Sequence, residues 1–150
     1  EISECLVGSE MCIRDRMNQH RHVEFFKNVD GILAHMKKHS AILKPKFDMV
    51  IKHLNNELAG LGIASWTEPN GGYFISLDVM DGCAKRVGEL CKEAGVVLTT
   101  IGATYPYGKD PNNRNIRIAP SYPPTEELDI AAELMCICVR LASVEKLLGE

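Results

Sequence analysis

Seven apolar residues between positions 33 and 58 recur at intervals of three, four or seven: Leu33, Met36, Leu43, Phe47, Val50, Leu54 and Leu58. That spacing draws one stripe along an α-helix. Lys37, Lys38, Lys44, Lys46 and Lys52 fall largely off it. The stripe predicts a long amphipathic helix over 31–59. Pro45 interrupts it; an internal proline removes a backbone hydrogen bond and crowds the preceding turn, so a kink or break is expected there. Gly60 and Gly62 end the helix.

Beyond residue 60 the period changes. Ile63 to Thr67 and Tyr73 to Val79 are apolar, β-branched runs around Glu68-Pro69-Asn70-Gly71-Gly72, which predicts a hairpin. Asp81 is placed to cap a helix over 82–94, with Val87, Leu90, Cys91 and Ala94 inward and Gly95 as its stop. Val96 to Thr100 predicts a short strand. Ile101 to Arg114, rich in Gly, Pro, Asn and Tyr, predicts a long surface or functional loop. Residues 115–119 predict another strand. Thr125 is expected to cap a last helix over 126–147, striped by Leu128, Ala131, Ala132, Met135, Cys138, Val139, Ala142 and Leu147. This order predicts an α+β fold: a small three- to four-stranded, mainly antiparallel sheet with helices packed on one face.

With 150 residues, 45% hydrophobic and 25% charged, the chain is long enough to bury a real core. A net charge of −3 gives no electrostatic drive toward nucleic acid or an anionic membrane, so neither is expected as a partner. No apolar run approaches the roughly 18 residues of a membrane span. Of the six cysteines, Cys83 and Cys91 fall on one predicted helix and Cys136 and Cys138 on another, without a Cys-x-x-Cys. Helical positions two apart point to different faces. Four small buried or half-buried thiols in a reducing cytoplasm are expected, not a metal or redox site. His35 and His39, among lysines and without the glutamate of His-Glu-x-x-His, are expected to be a solvated or half-buried pair. Lys109 to Arg114 reads as a surface loop, with no glycine-rich turn entering a helix to hold phosphate.

Residues 1–16 stand apart from this pattern. Leu6 to Arg16 resembles a translated sequencing-library adapter, and 1–16 is expected to be a non-native scar outside the fold. Residues 17–30 are polar with an aromatic centre and read as the tail of an element begun upstream. The fold proper is expected over 31–150.

Arg117 is the residue with the most chemistry. Strand side chains alternate between faces, so Ile116 and Ile118 can enter the core while Arg117 turns the other way with Asn115 and Ala119. Its guanidinium is a planar fork that matches a carboxylate bidentately. Ala119 and Pro120 leave room for a ligand. On the strand alone, a surface arginine in loose pairing with an acid is the more frequent case.

Three motifs change that reading. Gly71-Gly72-Tyr73-Phe74 is similar to a Gly-Gly-x-Phe strand start. Thr100-Ile101-Gly102-Ala103-Thr104-Tyr105-Pro106-Tyr107-Gly108 is similar to a Pro-Gly-x-x-Phe-Gly loop, with Ile101 in place of the proline and Tyr107 in place of the phenylalanine. Asn115-Ile116-Arg117-Ile118-Ala119-Pro120-Ser121 completes the set. In this order, from about Gln19 to Leu148, they resemble the C-terminal segment of class I/II, fold type I pyridoxal-phosphate aminotransferases, closest to a bacterial aspartate-aminotransferase-like branch.

The resemblance implies that Arg117 clamps the α-carboxylate of an amino-acid or 2-oxo-acid substrate, a positioning effect, and that Tyr73 and Tyr107 line the substrate side. Pyridoxal phosphate would be the electron sink. The family's Schiff-base lysine, the aspartate on the ring nitrogen and the phosphate cup belong to a large domain that would precede residue 17. The chain is therefore expected to be a small domain with a tail of the large one, from a cytoplasmic, homodimeric parent, and inactive alone. Two other readings stay open: the aminotransferase-like sensor module of a transcription regulator, and a free-standing α+β interaction domain.

Overall fold

The computed structural model describes residues 16–149, so the expectation for positions 1–15 lies outside the described residues. The chain divides into two units, one ending at Ile42 and one beginning at Leu43.

In the first unit, α1 (residues 16–26) stops where Lys27 takes a positive φ of 62°. Helix α2 (Val29–Glu57) starts two residues later. Its first turn is satisfied locally, the Gly31 N–H donating to Asn28 Oδ1 at 2.9 Å. Phe26 meets His35 edge-on, and His35 and His39 share a hydrogen bond of 2.8 Å between their Nε2 atoms. No group of three or more metal-ligating side chains occurs among the described residues. Leu33 and Met36, expected on the buried stripe, are exposed.

The expected break at Pro45 does not occur: α2 runs through it. The proline leaves the Ala41 carbonyl without its helical donor, but Ala41 is exposed, so water can take the donor's place. In the second unit the stripe behaves as expected from Phe47 onward, with Val50, Leu54 and Leu58 fully buried.

The sheet has three strands in the order β1 (Ala64–Trp66), β2 (Ile75–Val79) and β3 (Asn115–Ile118), all antiparallel. It is an α+β sandwich. Ile75, Leu77, Val79, Ile116 and Ile118 are buried on one face and share a core with the inward stripes of α2, α3 (Ala84–Glu93) and α4 (Thr125–Leu148). The expected strand over 96–100 is absent from the ladder. That segment reaches β3 by a side chain instead, Thr99 Oγ1 donating to the Arg117 carbonyl at 2.6 Å.

Both predicted caps need correction. The side chain of Asp81 does not cap α3. Asn113, far away in sequence, does so: its Oδ1 accepts from the Lys85 N–H at 3.1 Å and its carbonyl from the Ala84 N–H at 2.9 Å. Thr125 is the first residue of α4, not its cap. The predicted stop at Gly95 holds, with φ of 84° and paired return bonds from Gly95 N–H to the Lys92 carbonyl and Val96 N–H to the Cys91 carbonyl. Ala94 and Leu147, expected inward, are exposed because each lies at its helix's end. Cys83, Cys91, Cys136 and Cys138 are all free and buried. No described helix is long and apolar enough to cross a membrane.

Candidate carboxylate site

The β2–β3 register pairs Ile75 with Ile118 and Leu77 with Ile116 on the core face, and Ser76 with Arg117 and Asp78 with Asn115 on the other. Alternation thus delivers Arg117 to a polar face, as its two isoleucine neighbours require. The ring of Phe74, just before β2, lies 4.6 Å from Arg117 Cζ, within cation–π range. Arg117 Nε is buried and has no hydrogen-bond partner among the described residues.

The one acid of this face, Asp78, is already engaged. Asp78 accepts from Arg114 Nη2 at 3.1 Å and from Asn115 Nδ2 at 2.6 Å. Asn115 also donates to Ser76 Oγ at 2.9 Å and accepts from Thr104 Oγ1 at 2.7 Å. Among the described residues no carboxylate forms an ion pair with Arg117. A buried N–H without an acceptor is costly. A planar guanidinium fork can pair bidentately with a carboxylate or a phosphate.

The loop that follows is shaped by backbone contacts. Gly102, with φ of 87°, sits so close to the Gly108 carbonyl that an added Cβ would lie 2.3 Å from its oxygen. Tyr105 N–H donates to the Gly102 carbonyl at 2.9 Å and Gly108 N–H to the Tyr105 carbonyl at 3.1 Å. Past the loop, Asp110 accepts from the N–H groups of Arg114 (2.7 Å), Asn115 (2.8 Å) and Asn112 (3.0 Å). Desolvation, the largest single influence on Asp110, works to raise its pKa. The N–H groups of Asn115, Arg114, Asn112 and Asn113 together outweigh it and hold the carboxyl below its ordinary value. The predicted surface loop is therefore also the clamp that starts β3.

Of the three residues expected at the site, the structure gives a distinct environment to Arg117. Tyr73 is exposed, and Tyr107 is almost fully exposed, on a short turn at Pro106–Gly108 with φ of 58°. Neither tyrosine stacks on or hydrogen-bonds to Arg117 among the described residues. Sequence reasoning passed over Phe74 and Thr99. Phe74 had a signal, as the final residue of Gly71-Gly72-Tyr73-Phe74, whereas Thr99 had none. A cavity of about 100 Å³ adjoins the site, lined by Leu98, Thr99, Arg117 and Ala119 and by Leu128 and Met135 of α4.

Lysines do not converge here. Lys46 Nζ donates to the Ser121 and Pro123 carbonyls at 2.9 and 2.6 Å, and Lys146 to the Asp81 carbonyl. The other described lysines are exposed.

A model of the aspartate amino-transferase family matches residues 4–150. An aspartate aminotransferase from Corynebacterium glutamicum is 50% identical over 131 residues, which are 87% of this chain and 30% of that protein. The crystal structure of an aspartate transaminase from the same species superposes with a TM-score of 0.84 at 48% identity, over 92% of this chain and 34% of that one. The alpha-aminoadipate aminotransferase of Thermus thermophilus, complexed with N-(5'-phosphopyridoxyl)-L-leucine, shares the fold at a TM-score of 0.66 and 15% identity, over 81% of this chain and 30% of that one. The chain thus spans about a third of the length of the proteins it matches.

Proposed function

The chain belongs to the aspartate amino-transferase family, and we propose that it is the small domain of a pyridoxal-phosphate-dependent aminotransferase in which Arg117 binds the substrate's α-carboxylate. The observation that carries this is the state of Arg117: Nε buried without an acceptor, the guanidinium against Phe74, and the one acid of its face, Asp78, committed elsewhere. A substrate carboxylate offers the two oxygens that complete the fork and neutralises a charge that Phe74 only partly compensates. The Thr99 bond to the Arg117 carbonyl would fix the backbone from which the fork projects.

This domain's own lysines do not fit a Schiff base beside Arg117, since they are tied to carbonyls or spread over exposed surface. The cofactor's seat therefore belongs, in this reading, to a large domain of the parent. What this chain does is bind and orient the amino acid or 2-oxo acid. Tyr73 and Tyr107 would line the substrate once that large domain faces them. The parent would be a cytoplasmic homodimer, and the chain alone would not transaminate.

The test is a graft. Residues 19–148 replace the matching third of the Corynebacterium glutamicum relative, and kcat/KM is measured with and without Arg117→Lys. Loss of a bidentate, charge-assisted pair should lower kcat/KM by about 10- to 150-fold. An active graft that is indifferent to Arg117→Lys would remove the arginine from this role.

A further inference from the structure

Lys46 falls off the apolar stripe of α2, where a lysine is ordinarily solvated. Here it is half-buried, and its ammonium donates to two backbone carbonyls, those of Ser121 at 2.9 Å and Pro123 at 2.6 Å. Both acceptors belong to the turn by which the chain leaves β3 and enters α4, and Arg117 stands on β3 just before that turn. We infer that Lys46 is a positioning residue for Arg117: it fixes the turn beyond β3, and with it the place from which the guanidinium meets a carboxylate. This rests on the reading of Arg117 as the carboxylate ligand and deepens it.

Three prolines leave the turn short of donors. Pro120, Pro123 and Pro124 have no N–H to give. Carbonyls that converge on one point then need a donor from elsewhere in the fold, and an ammonium supplies two charge-assisted bonds at once. The turn is in turn coupled to the site. Pro120 is fully buried, so the short segment from Arg117 to Ser121 is packed in place and transmits a shift instead of absorbing it. Pro123 lines the same cavity as Arg117 and Thr99, and so does Val50, one turn along α2 from Lys46. Asp110 holds the first N–H of β3 at 2.8 Å, and Thr99 holds the Arg117 carbonyl at 2.6 Å. Lys46 adds support at the exit of the strand. All of these groups lie in the second unit of the chain.

Lys46→Met keeps the apolar stem and removes the ammonium. In the graft that tests Arg117, it should raise KM for aspartate, the amino acid of the Corynebacterium glutamicum parent, by about 10-fold while kcat holds within about 2-fold, because a displaced fork binds less well without altering the chemistry. A purely structural role would lower the active fraction, and so kcat, at unchanged KM. With Arg117→Lys already present, Lys46→Met should change KM by less than about 2-fold. In the full chain, the Arg117 Nε–H resonance, identified by its loss in Arg117→Lys, should exchange with water at least about 10-fold faster in Lys46→Met. Lys46→Gln, which removes the charge and shortens the reach, repeats both measurements if Lys46→Met unfolds. An unchanged KM in a graft that does respond to Arg117→Lys, an equal effect of Lys46→Met in both backgrounds, or an unchanged Nε–H exchange overturns the proposal. A graft indifferent to Arg117→Lys would instead overturn the carboxylate reading on which the proposal rests.

Discussion

At the scale of single residues, Arg117 was legible and its surroundings were not. Strand alternation between two isoleucines sends it to the polar face whatever the rest of the fold does. Its contact with Phe74 depends on how the hairpin loop returns into β2, which local sequence does not encode. Gly102 is a sharper case. Its φ of 87° and the 2.3 Å approach to the Gly108 oxygen mean that Gly102→Ala costs about 1–3 kcal/mol from the backbone alone, with the clash in addition. Urea denaturation should show the midpoint falling accordingly. Asp110 sets a pH dependence. Its folded pKa is depressed, so its contribution is fully present above the unfolded value of about 3.9 and is lost as pH falls through the lower folded value. Glu145 acts in the same direction, its carboxyl held down chiefly by the Arg86 hydrogen bond. Melting temperature should therefore drop below about pH 4, and Asp110→Asn should flatten that drop.

At the scale of elements, most boundaries followed from periodicity and turn residues, and the misplaced ones share a cause. Asp81 and Thr125 were assigned as caps from local spacing, yet α3 draws its cap from Asn113, some thirty residues on in the chain. Asn113→Ala should cost about 1 kcal/mol, while Asp81→Ala should cost less, since its carboxylate makes only a long, exposed ion pair with Arg114 at 3.7 Å and the Lys146 contact is to its backbone. Chemical denaturation of the two variants side by side decides between them. Val96 to Thr100 has the composition of a strand. It remains outside the ladder because β3 is met there through the Thr99 hydroxyl, not through paired backbone. At Pro45 a kink or break is expected, yet α2 continues through it, since a helix tolerates a proline where the freed carbonyl meets water.

At the scale of the whole molecule, the core gathers the four described thiols. Burial pushes Cys136 up to about 12, and burial with the neighbouring Cys138 pushes Cys91 up to about 12. With Cys5 and Cys12 changed to serine, labelling by a thiol reagent at pH 8 should run at least about 1,000-fold slower than in denaturant, limited by opening of the fold. Fast labelling of any of the four would show that the core is looser than described. The sequence by itself determined the α+β class, the inward stripes, the burial of the thiols and the face on which Arg117 stands, because each follows from a period of two or 3.6 along one segment. The tertiary structure alone decided the cap from Asn113, the aromatic under Arg117, the unpaired Nε and the Lys46 bonds to the turn beyond β3. Those depend on which distant residues are brought together, which is not a property of any one segment.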